Sequence, residues 1–143
     1  MTKPIYVLNG PNLNRLGTRE PAIYGTTTLT EVEALCREAA GIRTIVFRQS
    51  NAEFEIVNWI HEAIDHGGAI VINPAGLSFN SIPILDALKM FPGPIVEVHI
   101  SNIHRRELHY QKSLVSLAAT GVICGLGVEG YRAAIGAVAK MIK

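Results

Sequence analysis

Two pairs of side chains in this sequence have the types and spacing to move protons. Arg19 and Tyr24 stand five residues apart in a stretch rich in Gly, Pro and Asn. Pro21 between them restricts the connecting backbone, so a guanidinium and a phenol can face one cavity. A cation beside a phenol favours the phenolate: tyrosine titrates at about 10 in water, and each unit of depression corresponds to about 1.4 kcal/mol. Tyr24 is therefore a candidate general base, against the plainer reading of a surface loop in which Arg19 and Tyr24 only pack. The second pair is Glu97 and His99, two residues apart at the end of an apolar run, hence on the same side of a strand. The carboxylate can hydrogen-bond the imidazole, hold its tautomer and raise its pKa, which prepares a general acid; the alternative is a structural histidine at a strand end.

Other chemistries find less support. The backbone amides of Ile100 and Ser101, just past the same strand, can cradle a carboxylate with help from Asn73. No Gly-x-Ser-x-Gly elbow is present, and Ser50, Ser78 and Ser101 fall in turns or caps. Gly125-x-Gly127-x-x-Gly130 sits between a strand and a helix, as a dinucleotide fingerprint does, but only 13 residues follow Gly130. No later strand remains to carry a ribose-binding acid, so the glycines read as a tight turn that lets the last helix pack. There is no Gly-Lys-Ser/Thr phosphate loop. The five histidines, at 61, 66, 99, 104 and 109, and the two cysteines, Cys36 and Cys124, lack zinc spacing, so we expect no structural metal, with both thiols reduced. A phenolate base, an imidazolium acid and an anion cradle together describe proton abstraction beside a carbonyl with loss of a leaving group, an elimination.

The elements that must position these groups follow from periodicity. At 143 residues and 48% hydrophobic composition the chain is one globular domain, 1–143, with no apolar run long enough for a bilayer. A net charge of +1 without a basic cluster argues against nucleic acid as partner. The first strand begins almost at once, which leaves no room for a leader and makes the cytoplasm the expected compartment. Apolar runs at 5–8, 44–47, 69–72, 95–98 and 122–124 predict five strands. The long polar loop after the first is expected to hold neither helix nor sheet. Thr28 and Glu31 form a capping box for a helix stopped by Gly41. Gln49-Ser50-Asn51 reads as a polar turn and cap for a second helix whose apolar face is Phe54, Val57, Ile60 and Ile64, ended by Gly67-Gly68. Ser78 or Asn80 begins a third, with Pro83 in its first turn. A polar segment, 103–113, precedes the last strand, and Val128, Tyr131, Ile135, Val138 and Ile142 line a closing helix. Strands alternating with amphipathic helices mean an α/β three-layer sandwich, a parallel sheet covered on both faces, with the flavodoxin-like order 2-1-3-4-5 natural for five strands. Ligands then bind outside the carboxyl ends of the strands. Asn9 to Tyr24, Asn73, and His99 to Asn102 converge there.

Nearly end to end, the chain resembles the type II 3-dehydroquinate dehydratase family. The resemblance is carried by Leu8-Asn9-Gly10-Pro11-Asn12-Leu13-Asn14 with Gly17, by Arg19-Glu20-Pro21 and Ile23-Tyr24-Gly25, and by Gln49-Ser50-Asn51 with Glu53. It continues in Trp59-Ile60-His61-Glu62-Ala63, Ile72-Asn73-Pro74-Ala75, Asp86-Ala87-Leu88, Glu97-Val98-His99-Ile100-Ser101-Asn102-Ile103-His104, and Gly125-Leu126-Gly127 with Gly130-Tyr131. It implies a flavodoxin-like lyase without metal or cofactor, acting on a small cyclic hydroxy-keto acid and assembled as a dodecamer of four trimers. It further implies that Tyr24 removes the proton beside the ketone, that Arg19 keeps Tyr24 ionised, that Asn12 holds a water against the enolate oxygen, and that His99, steered by Glu97, protonates the departing hydroxyl. Asn73, Ile100 and Ser101 would bind the carboxylate, and Asp86 would act at a subunit boundary.

The chain departs from the family where ring hydroxyls are gripped. Leu77 and Phe79 stand in place of an aromatic residue and a histidine, Tyr110 in place of an arginine, and Phe54 in place of a glycine. Three readings stay open. The enzyme dehydrates 3-dehydroquinate with a changed grip, Tyr110 or Lys112 partly substituting; it acts on a related cyclic hydroxy-keto acid; or it is a paralogue that binds a ring acid and catalyses little.

Overall fold

In a computed structural model, residues 2–18 and 20–142 are described. Five strands, β1 (Ile5–Asn9), β2 (Ile45–Gln49), β3 (Ala69–Asn73), β4 (Ile95–His99) and β5 (Gly121–Cys124), form a wholly parallel sheet in the order β2-β1-β3-β4-β5. The expected topology is the one observed. Helices cover both faces, which is why β1, β3 and β4 are buried at every residue and read as continuous apolar runs.

Alternation along the strands divides the core in two. Ile5, Val7, Val71 and Val98 face α2 (Leu29–Ala40) and α5 (Glu129–Met141), whose Val32, Cys36, Ile135 and Val138 fill that side. Tyr6, Leu8, Ile70 and Ile72 face α3 (Glu53–His66) and α4 (Ile82–Lys89), which contribute Ile56, Ile60, Ile84 and Leu88. Cys36 and Cys124 are both free, and burial pushes the Cys36 thiol up to about 12.

Local signals held to different degrees. The Thr28/Glu31 capping box is formed in both directions. The polar turn Gln49-Ser50-Asn51 precedes α3, but none of the three is its N-cap. The cap position is Ala52, whose N–H donates to Ser50 Oγ, and α3 is rolled so that Ile56, Ile60 and Ala63 are buried while Phe54 is 69% exposed. The third long helix is capped by Ser81, its Oγ accepting from Ile84 N, rather than by Ser78 or Asn80, because Ala75–Phe79 is a separate 3₁₀ turn. The loop after β1 also carries two turns of helix that its composition argues against, a 3₁₀ turn at Leu13–Arg15 and a one-turn helix, α1 (Pro21–Tyr24), with proline in its first turn.

Candidate active site

At the carboxyl edge of the sheet, β1 and β3 end side by side with Asn9 opposite Asn73. The loops beyond them touch. Gly10 N donates to Asn73 O (2.8 Å), and a Cβ on Gly10 would lie 2.4 Å from the carbonyl oxygen of Pro74, so only glycine fits between the two turns. Two non-glycine residues that line this hollow have positive φ, Asn12 (72°) and Ala75 (52°), and Glu20 (39°), the cap of the helix that carries Tyr24, is a third. Such backbone persists only where its surroundings enforce it. Asn12 N donates to Asn51 Oδ1 (2.9 Å), and Ala75 N to Asn73 Oδ1 (3.2 Å).

The hollow is a cavity of about 190 Å³, large enough for a small ring. Asn12, Tyr24, Asn73, Phe79, His99, Ile100, Ser101 and Tyr110 all line it, as the sequence proposed, and Arg106 joins them. Asp86 does not: it is exposed on α4, away from the cavity of its own chain. Lys112 is exposed as well and does not reach the lining, so it offers no substitute grip. Arg19 lies outside the described residues.

On one wall Tyr24, the last residue of α1, receives a hydrogen bond from Arg106 Nη1 at 3.0 Å, and the Arg106 guanidinium carbon sits 5.6 Å from its ring centroid. A charged donor at that distance stabilises an oxyanion on the phenol oxygen. His99, in the same lining, pairs through Nε2 with Glu97 Oε2; with Glu97 as the carboxylate acceptor, Nε2 carries the donated proton and Nδ1 is left for the cavity. Glu97 is fully buried, and its other oxygen accepts from Ser116 Oγ (2.6 Å). Burial would push its pKa up. The hydrogen bonds from His99 and Ser116, with Ser113 close by, outweigh this and hold the carboxyl below the usual carboxylate range. The expected pairing of Glu97 with His99 is thus present, on one side of β4.

The lining also holds the groups suited to an anion. Among the described residues neither Ile100 nor Ser101 donates its N–H to a backbone or side-chain acceptor, so both remain for a ligand. Asn73 is fixed by a buried chain of hydrogen bonds. Its Nδ2 donates to Tyr131 Oη (2.9 Å), Tyr131 Oη donates to Asn9 Oδ1 (2.7 Å), and Asn9 Nδ2 donates to the carbonyl of Arg48 (3.0 Å). Complete burial pushes the Tyr131 phenol far above its ordinary value, so it stays a neutral donor.

Pattern reading missed Arg106 in the lining, and read Tyr131 as core without its role as a donor. Arg106 had only the charge pair Arg105-Arg106 beyond His99 as a signal, and Tyr131 only its place on the apolar face of the closing helix beside Gly130. The remaining wall is aromatic: Phe79 is stacked over His99 (centroids 6.3 Å apart) and meets Tyr110 edge to face (5.6 Å). Gly125 (φ 84°) and Gly127 (φ 61°) make the turn into α5, and Gly130 packs against Val98 and Ile123, as the tight-turn reading expects. No cluster of three or more His, Cys, Asp or Glu among the described residues is placed to hold a metal.

Comparison with known proteins follows the same lines. A family model described as dehydroquinase class II matches residues 3–139. A protein of Streptomyces avermitilis named 3-dehydroquinate dehydratase is 58% identical over 96% of this chain and 89% of its own length. Another of that name, from Phenylobacterium zucineum, is 54% identical over the full length of both. The crystal structure of type II dehydroquinase from Propionibacterium acnes superposes with a TM-score of 0.93 at 46% identity, covering 98% of each chain.

Proposed function

We propose that this chain, which belongs to the class II dehydroquinase family, is a hydro-lyase that removes water from 3-dehydroquinate to give 3-dehydroshikimate. The observation that carries the proposal is that a cation-paired phenol and a carboxylate-backed imidazole line one small cavity. Tyr24, as phenolate, takes the proton from the carbon beside the ketone. The electron pair moves onto the carbonyl oxygen as an enolate, and a water held by Asn12 donates to that oxygen. When the enolate collapses, the carbon–oxygen bond to the leaving hydroxyl breaks. His99, carrying a proton on Nδ1, delivers it so that water departs on the face opposite to Tyr24, and Glu97 stabilises the imidazolium beforehand. Asn73 and the amides of Ile100 and Ser101 hold the ring carboxylate. Arg106, with Arg19 as the resemblance implies, holds the charge of Tyr24.

Tyr24, His99 and Glu97 are kept as a proton-transfer set, which favours dehydration of 3-dehydroquinate, with the ring hydroxyls gripped differently at Phe79 and Tyr110, over the related-substrate and non-catalytic readings. The same reading extends to a cytoplasmic homo-oligomer, a dodecamer of trimers, with Asp86 at a boundary between subunits. Among the described residues no helix is long and apolar enough to cross a membrane.

The test is direct, since the product enone absorbs in the ultraviolet and the substrate does not. Purified protein mixed with 3-dehydroquinate should give a rising signal, and Tyr24→Phe should lower the rate by at least about 10²-fold, the usual worth of a positioned base. A silent wild-type protein, or a Tyr24→Phe variant as fast as wild type, rules the assignment out.

A further inference from the structure

We infer that Tyr110 is a positioning residue for the base, its ring being the platform that holds the Arg106 guanidinium against the Tyr24 phenol. This rests on the reading of Tyr24 as base and goes one step behind it. The Arg106 guanidinium carbon lies 4.1 Å from the Tyr110 ring centroid, closer than to Tyr24 itself, so the cation is held between two aromatic rings. No carboxylate among the described residues forms an ion pair with Arg106.

That combination has a chemical consequence. A carboxylate would fix the guanidinium equally well but would cancel the charge that Tyr24 needs; the face of a ring attracts the cation and leaves its charge intact. The platform is itself braced. Phe79 meets Tyr110 edge to face, the His109 ring lies 4.1 Å from it, Tyr110 N donates to Glu107 O (2.8 Å), and Gln111 Nε2 donates to the Arg106 carbonyl (2.6 Å). The substitution of aromatic for polar residues on this wall therefore has a use beyond filling space. Other ionisable groups near the pair are His99 in the same cavity, and Glu20, Arg105 and Glu107, which share an outer hollow with Arg106 and Tyr110.

Pairing Tyr110→Leu with Tyr110→Phe decides the matter, read by kcat, KM and the pH dependence of kcat/KM, with circular dichroism confirming that each variant is folded. Tyr110→Leu should lower kcat by about tenfold, the scale of a partly desolvated cation–π contact, and move the rising limb of the profile to higher pH, with a smaller change in KM. Tyr110→Phe keeps the ring and should keep the limb where wild type has it. In an Arg106→Leu background, Tyr110→Leu should move the limb no further. A raised KM with unmoved kcat and limb overturns the inference by making Tyr110 only a wall for the ring, and equal losses in Phe and Leu overturn it by assigning the effect to the hydroxyl. If Tyr24→Phe is inactive while Tyr110→Leu behaves as wild type, this inference alone fails; if Tyr24→Phe is active, the base assignment fails with it.

Discussion

A carboxylate with no exposure to water, such as Glu97, is tolerable only because every lone pair that matters is used. Its pKa is depressed in the folded chain relative to an ordinary value of 4.5. A group depressed in this way contributes stability above its unfolded pKa and loses that contribution as pH falls through the folded value. The urea midpoint of wild type should therefore drop most steeply below pH 4.5, and Glu97→Gln should flatten that drop. The same variant leaves His99 without its anionic partner, and kcat should fall by about 10²-fold at the lower end of general acid effects; a kcat within a factor of about two of wild type would detach Glu97 from the acid. Glu97 and His99 were legible because a period of two puts them on one side of a strand. Arg106 was not. The segment after β4 has no period, and which of two adjacent arginines turns inward is decided by the 3₁₀ turn Ile103–Arg105 that ends just before it. Tyr131 was legible as core but not as a donor, because its partners, Asn73 and Asn9, come from strands far away in sequence.

At the scale of elements, the cavity exists because two turns that follow different strands are pressed together. Gly10 is the contact point, and the atom a Cβ would strike is backbone, which cannot rotate away. Gly10→Ala should separate the β1 and β3 turns, costing about 1–3 kcal/mol as an overpacked site does, and should lower kcat/KM by displacing Asn12 and Asn73 together. Urea unfolding with a kinetic assay on the same sample checks this, and an alanine variant with wild-type stability would show that the turns can part freely. Five strands, their order and the helices between them were readable because apolar runs and capping signals act locally. The starts of α3 and α4 were misplaced because several polar residues in each turn can cap equally well, and the helix takes the one that puts its larger apolar stripe on the sheet. For α3 that stripe is Ile56, Ile60 and Ala63, shared with the predicted face only at Ile60.

Over the whole molecule, what the single chain leaves uncovered is as informative as its core. Along α4 and its C-cap, Ile82 (59% exposed), Asp86 and Met90 (56%) follow one another at intervals of four, one stripe along the helix. Leu117, Leu108 and Phe54 are further apolar side chains left exposed by the single chain. Asp86, which is not among the residues that line the active-site cavity, lies between the two apolar ends of that stripe. If copies of the chain meet there, the expected mass in solution is a multiple of 15.5 kDa, twelvefold for the full assembly. Ile82→Lys then places a charge in the contact. It should shift the mass toward smaller species, and it should lower kcat/KM if Asp86 serves a neighbouring cavity, while far-ultraviolet circular dichroism stays that of the native fold, because Ile82 contributes little to its own core. Light scattering that gives a single chain for wild type would remove the boundary role of Asp86, and an Ile82→Lys variant that dissociates yet keeps full activity would show that each cavity is complete within one subunit.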